Sequence, residues 1–169
     1  GNSIYRNEQL VESFPGGDGS GIDLAAPGDV QGNHETTAND AGDGDAGPNN
    51  LQNYPRILSA VSDGTYVRIT GDFNPATVGS TSFRLEFFAS NPADVPAAVW
   101  GAGYRDGRYF LGFANVTTTG GGLATFDYTL RATVAAGQYI TATATRADST
   151  FSQFFETSEF SQNYGTAAA

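Results

Sequence analysis

Residues 82–88 read SFRLEFF, a stretch in which bulky apolar side chains alternate with charged ones. Arg84, Glu86 and Phe88 occupy the even-numbered positions, which form one parity of the alternation. The other parity is entirely apolar and consists of Phe83, Leu85 and Phe87. Successive side chains of a β-strand point to opposite faces, so an alternation of period two is typical of a strand that buries one face. The stretch therefore predicts a half-buried β-strand that directs its charged side chains, and Phe88, outward.

Short runs of the same kind continue on both sides of this strand, separated by turn signals such as Asp63-Gly64 and Asp106-Gly107. They cover residues 54–61, 66–73, 109–116, 123–130, 138–146 and 151–160. About seven short strands without a convincing helix indicate an all-β fold, an Ig-like antiparallel β-sandwich, with a closed barrel as the alternative. The core is expected at the alternating apolar positions: Val67, Ile69, Phe83, Leu85, Phe87, Leu111, Phe113, Phe126, Tyr128, Ile140 and Ala142.

The chain is strongly acidic, with 18 acidic against 8 basic side chains and a net charge of −10 at pH 7. Nucleic acids and anionic membrane surfaces both require a cationic face, so this balance argues against either as a partner. No apolar run approaches the roughly 18 residues that a membrane span needs, which predicts no membrane span. The chain has no Cys, so a disulfide framework, a thiolate zinc site and a cysteine nucleophile are excluded.

The acidic residues are concentrated toward the N terminus and divide the chain into two regions. Residues 1–50 hold nine acids and one base, whereas the remaining residues hold nine acids and seven bases. Residues 15–53 are also rich in Gly and Pro, with almost no apolar periodicity, which is typical of a loop. A loop of that length in a compact domain needs another source of order. We therefore expect an extended strand and an acidic metal-binding loop over residues 1–53, and a β-sandwich domain over residues 54–169.

Oxygen-bearing side chains are densest within this acidic loop. Calcium binds six to eight oxygen atoms from carboxylates, amide carbonyls and the main chain, whereas magnesium keeps more of its waters. Gly42 and Gly44 lie between the acids and allow the positive φ that turns successive carboxylates onto one ion. The sequence therefore predicts calcium as the cofactor, in a site that does not have EF-hand spacing, and the alternative is a solvated acidic loop. The predicted ligands are Asp23, Asp40, Asp43, Asp45, Asn49 and Asn50.

No acid, base and nucleophile converge in the sequence, and we expect a protein without enzyme activity. His34-Glu35 begins a zinc-protease motif, but HExxH needs a second His and the chain has one. Glu156 and Glu159 form a pair that could act on a glycosidic bond, although a ligand or an edge charge is the simpler interpretation. The aromatic side chains around Trp100 could stack on a sugar, and packing in a core or interface is the favoured alternative.

Six motifs together resemble a known module, and the resemblance spans nearly the whole chain. The motifs are GIDL (21–24), NDAGDGDAGPNNLQNYP (39–55), EFFAS (86–90), FLG (110–112), ITATAT (140–145) and TSEFS (157–161). They resemble the C-terminal β-sandwich module of secreted parallel β-helix repeat and CSLREA-domain proteins of bacteria and archaea. The resemblance implies an extracellular or cell-surface location and no established enzyme activity. The chain departs from that pattern in a longer insert at residues 25–38 and in lacking the Cys of some members.

Residues 1–14 alternate weakly and have no evident strand partner within the fold. Their apolar members are Ile4, Leu10, Val11 and Phe14. Because edge strands are templates for β-addition, we expect this strand to pair with a second copy and build a filament or surface structure, with Arg6 and Glu8 at the rim. In the alternative, the strand folds back on its own sandwich. Other candidate roles are a capping module of a secreted adhesin, or a carbohydrate-binding module of a polysaccharide-degrading β-helix protein with surface glycans as ligand.

Overall fold

The computed structural model describes residues 21–24, 36–40, 46–75, 79–94 and 106–169. Within these ranges the regular secondary structure is almost entirely β, which confirms the predicted all-β sandwich. The only helices there are two short 3-10 turns, Pro48–Leu51 and Pro92–Asp94, and neither is long and apolar enough to cross a membrane. The strands are β1 Arg56–Ser62, β2 Val67–Phe73, β3 Ser82–Ser90, β4 Tyr109–Thr117, β5 Ala124–Leu130, β6 Tyr139–Ala147, β7 Phe154–Thr157, β8 Tyr164–Gly165 and β9 Ala167–Ala168.

Two sheets pack face to face. The first sheet has the order β5-β2-β1-β9, and the second has the order β4-β3-β6-β7, with β8 also paired to β6. Neighbouring strands are antiparallel except for β9, which runs parallel to β1. The Asp63-Gly64 turn that joins β1 to β2 forms as predicted, because the Asp63 carboxylate accepts the main-chain N–H groups of Thr65 and Tyr66.

The core lies between the sheets and is built from the apolar parity of each strand. Phe83, Leu85 and Phe87 of β3 are all fully buried, so the alternation in SFRLEFF orients the strand as predicted. The Phe83 ring meets Phe73 of the first sheet edge-on, with ring centroids 4.9 Å apart. Phe87 likewise packs on Phe126 of β5, with centroids 5.6 Å apart. Burial of each such side chain contributes about 1.5–3 kcal/mol, so these aromatic contacts hold the two sheets together.

The predicted core is wrong in β4. Phe113 was expected inside, but its side chain is 49% exposed, and Leu111 is only partly buried. The register between β3 and β4 shifts at Gly112, so that Leu111 is an extra residue with no partner in β3. A bulge of this kind reverses the parity of the residues that follow, and Ala114 rather than Phe113 faces the core. Tyr128 of β5 is also only partly buried against the core.

Phe88 is the second departure from the sequence pattern. It pairs with Thr141 across the second sheet and so lies on the outward parity, as predicted. Its side chain is nevertheless only 4% exposed. The rings of Phe110 and Phe160 cover it, with centroid separations of 5.6 and 5.3 Å. Part of the outer face of the second sheet is therefore covered by other side chains and is buried.

Candidate functional site

Residues 158–161, which follow β7, include Phe160, whose ring packs on Phe88. We name this segment the covering layer. The main-chain N–H groups of Ser158 and Ser161 donate to the carbonyls of Ala144 and Ala142 on β6, at 2.9 and 2.8 Å. The hydroxyls of the same two serines accept the N–H groups of Ala144 and Ala142 in return, at 3.0 and 2.9 Å. The serine side chains thus stand in for main-chain groups of a paired strand, which explains their spacing in TSEFS.

Glu159 lies between these serines and anchors the N-terminal region to the sandwich. Its side chain is 2% exposed. One carboxylate oxygen accepts the main-chain N–H of Leu24 at 2.8 Å, and the other accepts that of Thr37 at 2.7 Å. A buried carboxylate requires such donors, because burial of an unsatisfied charge is very costly. Glu159 therefore has a structural role, which the sequence interpretation as a ligand or an edge charge did not include.

Two asparagine side chains fasten residues 39 and 40, at the C-terminal end of the described N-terminal segment 36–40. Asn39 forms a two-bond pair with the main chain of Tyr54, accepting its N–H at 2.9 Å and donating to its carbonyl at 2.8 Å. Asn53 forms the same kind of pair with the main chain of Asp40, at 3.0 and 2.9 Å, and also donates to the carbonyl of Asn74. These amides join residues 39 and 40 to residues 53 and 54, and residue 53 to residue 74.

Asn49 and Asn50, both predicted calcium ligands, lie in the 3-10 turn with positive φ values of 50° and 54°. The amide nitrogen of Asn49 donates to the carbonyl of Thr157 at 2.9 Å, and that of Asn50 donates to Glu156 at 3.4 Å. Glu156 also accepts two hydrogen bonds from Arg146, which lower the pKa of the Glu156 carboxyl below its ordinary value. Both asparagines thus bind the β7 region through their amide nitrogens.

The other predicted calcium ligands are only partly in view. Asp23 is exposed and Asp40 is half-buried, whereas Asp43 and Asp45 lie outside the described residues. No group of three or more His, Asp or Glu side chains that could hold a metal ion occurs within the described ranges. The predicted calcium site therefore stays a prediction, and the side chains of Asn49 and Asn50 are exposed.

Several other predicted residues also lie outside the described ranges. They are the assembly residues Ile4, Leu10, Val11 and Phe14, together with His34 and Trp100.

Another part of the outer face of the second sheet carries an exposed cluster of arginine and phenylalanine. The Arg84 guanidinium lies 4.2 Å from the ring centroid of Phe113 and 4.1 Å from that of Phe154. Both rings are partly exposed, by 49% and 42%. The Arg84 Nε–H also donates to the side-chain oxygen of Asn115 at 3.3 Å. We name Arg84 with these two rings the arginine stack. The charge of Arg84 was visible in the sequence, but its two aromatic neighbours were not.

β4 forms one edge of the second sheet, beside the arginine stack. Within the described residues it pairs only with β3. The hydroxyl of Tyr128 in β5 donates to the main-chain carbonyl of Asn115 at 3.2 Å, so this carbonyl points toward the edge. A groove of about 520 Å³ lies between β4 and β5, with Val116 and the 47% exposed Leu123 among its lining residues. The edge therefore combines main-chain groups, of which the Asn115 carbonyl already accepts the Tyr128 hydroxyl, with apolar surface.

A scan against protein-family models finds none that matches the chain, and a search of curated proteins finds no significant match. The resemblance to the sandwich module of β-helix proteins stays a prediction that rests on the quoted motifs.

Proposed function

We propose that this protein is a non-catalytic, extracellular structural subunit that associates with copies of itself through residues 1–14. The observation that carries the proposal is the edge of β4, nine residues long and paired on one side only within the described residues. Main-chain groups along such an edge can form hydrogen bonds with a strand from another chain, and exposed apolar side chains beside the edge provide specificity. Phe113 and Leu123 are apolar side chains of this kind. The extracellular location rests on the resemblance alone.

Calcium binding within the acidic loop is the second part of the proposal. Residues 41–45, which include Asp43 and Asp45, are bounded by Asp40 and by the 3-10 turn, and both of these are fastened to the sandwich. Anchored ends lower the entropy cost of closing a loop around an ion. The same anchors would let bound calcium stabilise the sandwich, because a ligand of the folded state raises stability by mass action.

Association is tested by sedimentation velocity on the full chain across a range of concentrations. We expect the wild type to assemble and the Leu10→Asp variant to remain monomeric with its sandwich intact. Gln9→Asp is a matched control, because it adds the same charge on the opposite parity of the strand and should assemble like the wild type. A wild-type chain that stays monomeric at every concentration would refute self-assembly. Assembly of Leu10→Asp equal to the wild type would exclude residues 1–14.

Calcium binding is tested by thermal unfolding with calcium and with a chelator. We expect a higher melting temperature with calcium, and we expect that difference to shrink in Asp43→Asn/Asp45→Asn because two balancing charges are removed. Superimposable wild-type curves would rule out a stabilising calcium site. An unchanged calcium shift in the double variant would place the site elsewhere in the chain.

A carbohydrate-binding role is the second candidate, and the surroundings of Tyr109 favour it. The Tyr109 ring is 43% exposed. The Asn91 amide donates to its hydroxyl at 3.3 Å, and the Arg108 guanidinium lies 5.0 Å from the ring centroid. An exposed ring flanked by polar donors is a surface on which a sugar can stack. A glycan array separates the two roles: binding that Tyr109→Ala abolishes would support this candidate, and no binding to any glycan would remove it.

A further inference from the structure

Arg84 differs from three other arginines of the sandwich in how its charge is balanced. Arg56, Arg68 and Arg146 each form an ion pair with a carboxylate of a neighbouring strand. The contacts of Arg84 are the two rings of the arginine stack and the amide oxygen of Asn115, and no carboxylate among the described residues binds it. The N–H donors of a guanidinium are coplanar, and contacts with two aromatic rings fix the orientation of that plane. Such a planar donor edge matches a carboxylate.

The position of the arginine stack relates it to the edge of β4. The cross-strand register pairs Arg84 with Asn115 and Glu86 with Phe113. A strand added outside β4 would continue these rows, about 5 Å beyond β4 and about 10 Å from β3. The hydrogen bond from Arg84 to Asn115 shows that the arginine side chain already extends to β4. A glutamate in the added strand, on the row of Asn115, would therefore lie within reach of Arg84.

Residues 1–14 contain a pattern that fits these rows in either strand direction. Leu10 is flanked two positions away by Glu8 and Glu12, so all three share one face of an extended strand. With Leu10 opposite Phe113, the residue opposite Asn115 is Glu8 in one direction and Glu12 in the other. Either arrangement places an apolar side chain on the exposed ring and a carboxylate on the row of Arg84.

We propose that the edge of β4 receives residues 1–14 of a second copy of this chain, and that Arg84 binds the carboxylate of Glu8 or Glu12 from that copy. This inference rests on the proposed self-assembly and identifies the surface that receives the strand. The contact is head-to-tail, because each copy donates its N-terminal residues and offers its own β4. A contact of this kind propagates along a filament rather than closing into a two-fold dimer.

A charge exchange between full-length variants tests the contact. Arg84→Glu and Glu8→Arg/Glu12→Arg each place like charges together, so each alone should weaken association by about tenfold or more. Mixed in equal amounts, the two variants restore an opposite-charge pair at every contact, and the mixture should assemble like the wild type. Arg131→Glu is the matched control, because Arg131 is exposed and the same charge change there should not alter association. Thermal unfolding of each variant confirms that the sandwich is folded.

The outcomes separate this inference from the proposed function. If Leu10→Asp prevents assembly while Arg84→Glu assembles like the wild type, self-assembly stands and Arg84 is not part of the contact. A mixture that remains as dissociated as its components also overturns the inference. Arg84→Lys provides a second variant that keeps the charge and loses the planar donors. It should associate more weakly than the wild type, and restored association in the mixture together with weakened Arg84→Lys identifies a two-bond arginine–carboxylate contact.

Discussion

Replacing Glu159 by Gln tests whether one buried carboxylate fastens the N-terminal region to the sandwich. The carboxylate accepts two main-chain N–H groups, from Leu24 and Thr37. Hydrogen bonds to a charged group contribute about 1.5–3 kcal/mol each, and neutral ones about 0.5–1.5 kcal/mol. Glutamine keeps one acceptor oxygen and turns its own NH2 toward the other donor, so one bond is weakened and one is lost. That loss amounts to about 3–4 kcal/mol, of which removal of the buried charge recovers a part.

We therefore expect Glu159→Gln to lower the free energy of unfolding by about 2 kcal/mol. Denaturant titration measures this change, and amide hydrogen exchange measures its location, since the amides of Leu24 and Thr37 should exchange faster than in the wild type. Glu86→Gln, the same chemical change at a half-buried position in β3, should alter stability by less than about 0.5 kcal/mol. An unfolding midpoint equal to that of Glu86→Gln, with unchanged exchange at both amides, would refute the anchoring role.

Three further predictions concern the core, the covering layer and the response to pH. Phe83→Ala should lower the free energy of unfolding by about 3–5 kcal/mol because the ring is fully buried, measured by denaturant titration. Gly107→Ala should lower the melting temperature, because a Cβ there would lie 2.7 Å from the Phe160 ring. The ion pair with Arg146 lowers the pKa of the Glu156 carboxyl in the folded protein. The stability that this ion pair contributes is therefore present above the pKa of an unfolded glutamate, about 4.3, and is lost as the pH falls through the lower pKa of the folded state.

Each of these predictions has its own control. Phe113→Ala, at the exposed position, should cost clearly less than Phe83→Ala, and equal costs would mean that the register of β3 and β4 is inverted. Gly120→Ala should leave the melting temperature unchanged, because nothing lies within 4 Å of a Cβ there. For the pH response, melting temperatures of Glu156→Gln and the wild type should differ at pH 7, and the difference should shrink as the pH falls below about 4.3. A constant difference across that range would contradict the ion pair with Arg146.

The alternating pattern of the sequence was sufficient to predict β1 to β7 and much of the core, whereas the two-residue strands β8 and β9 lie outside the predicted runs. In β3 the parity of Phe83 and Leu85 follows from local geometry alone, because a strand directs successive side chains to opposite faces whatever its neighbours are. The Asp63-Gly64 turn was predictable for the same reason, since its hydrogen bonds join residues two and three positions apart. The acidic composition of residues 1–50 likewise required no structure.

The candidate site was predictable only in part. Asn49 and Asn50 were identified from their residue types, but their bonds to the β7 region were not. Arg84 was identified as an outward charge, whereas Phe154 comes to it from a strand far along the chain. Glu159 was interpreted as a ligand or an edge charge because nothing near it in the sequence indicates burial. In each case the missing information is the identity of a distant neighbour.

The residue types and their period of two by themselves determined that the chain forms short strands with a buried and an exposed face. Only the tertiary structure decided which side chains on the outward faces are covered by other parts of the chain. Phe88 lies on the outward parity and is buried because Phe160 packs on it, and Phe113 is exposed because the extra residue Leu111 reverses the parity of β4. A local pattern reports the direction of a side chain relative to its own strand. Burial depends on what packs against that face, and that depends on contacts between residues far apart in the sequence.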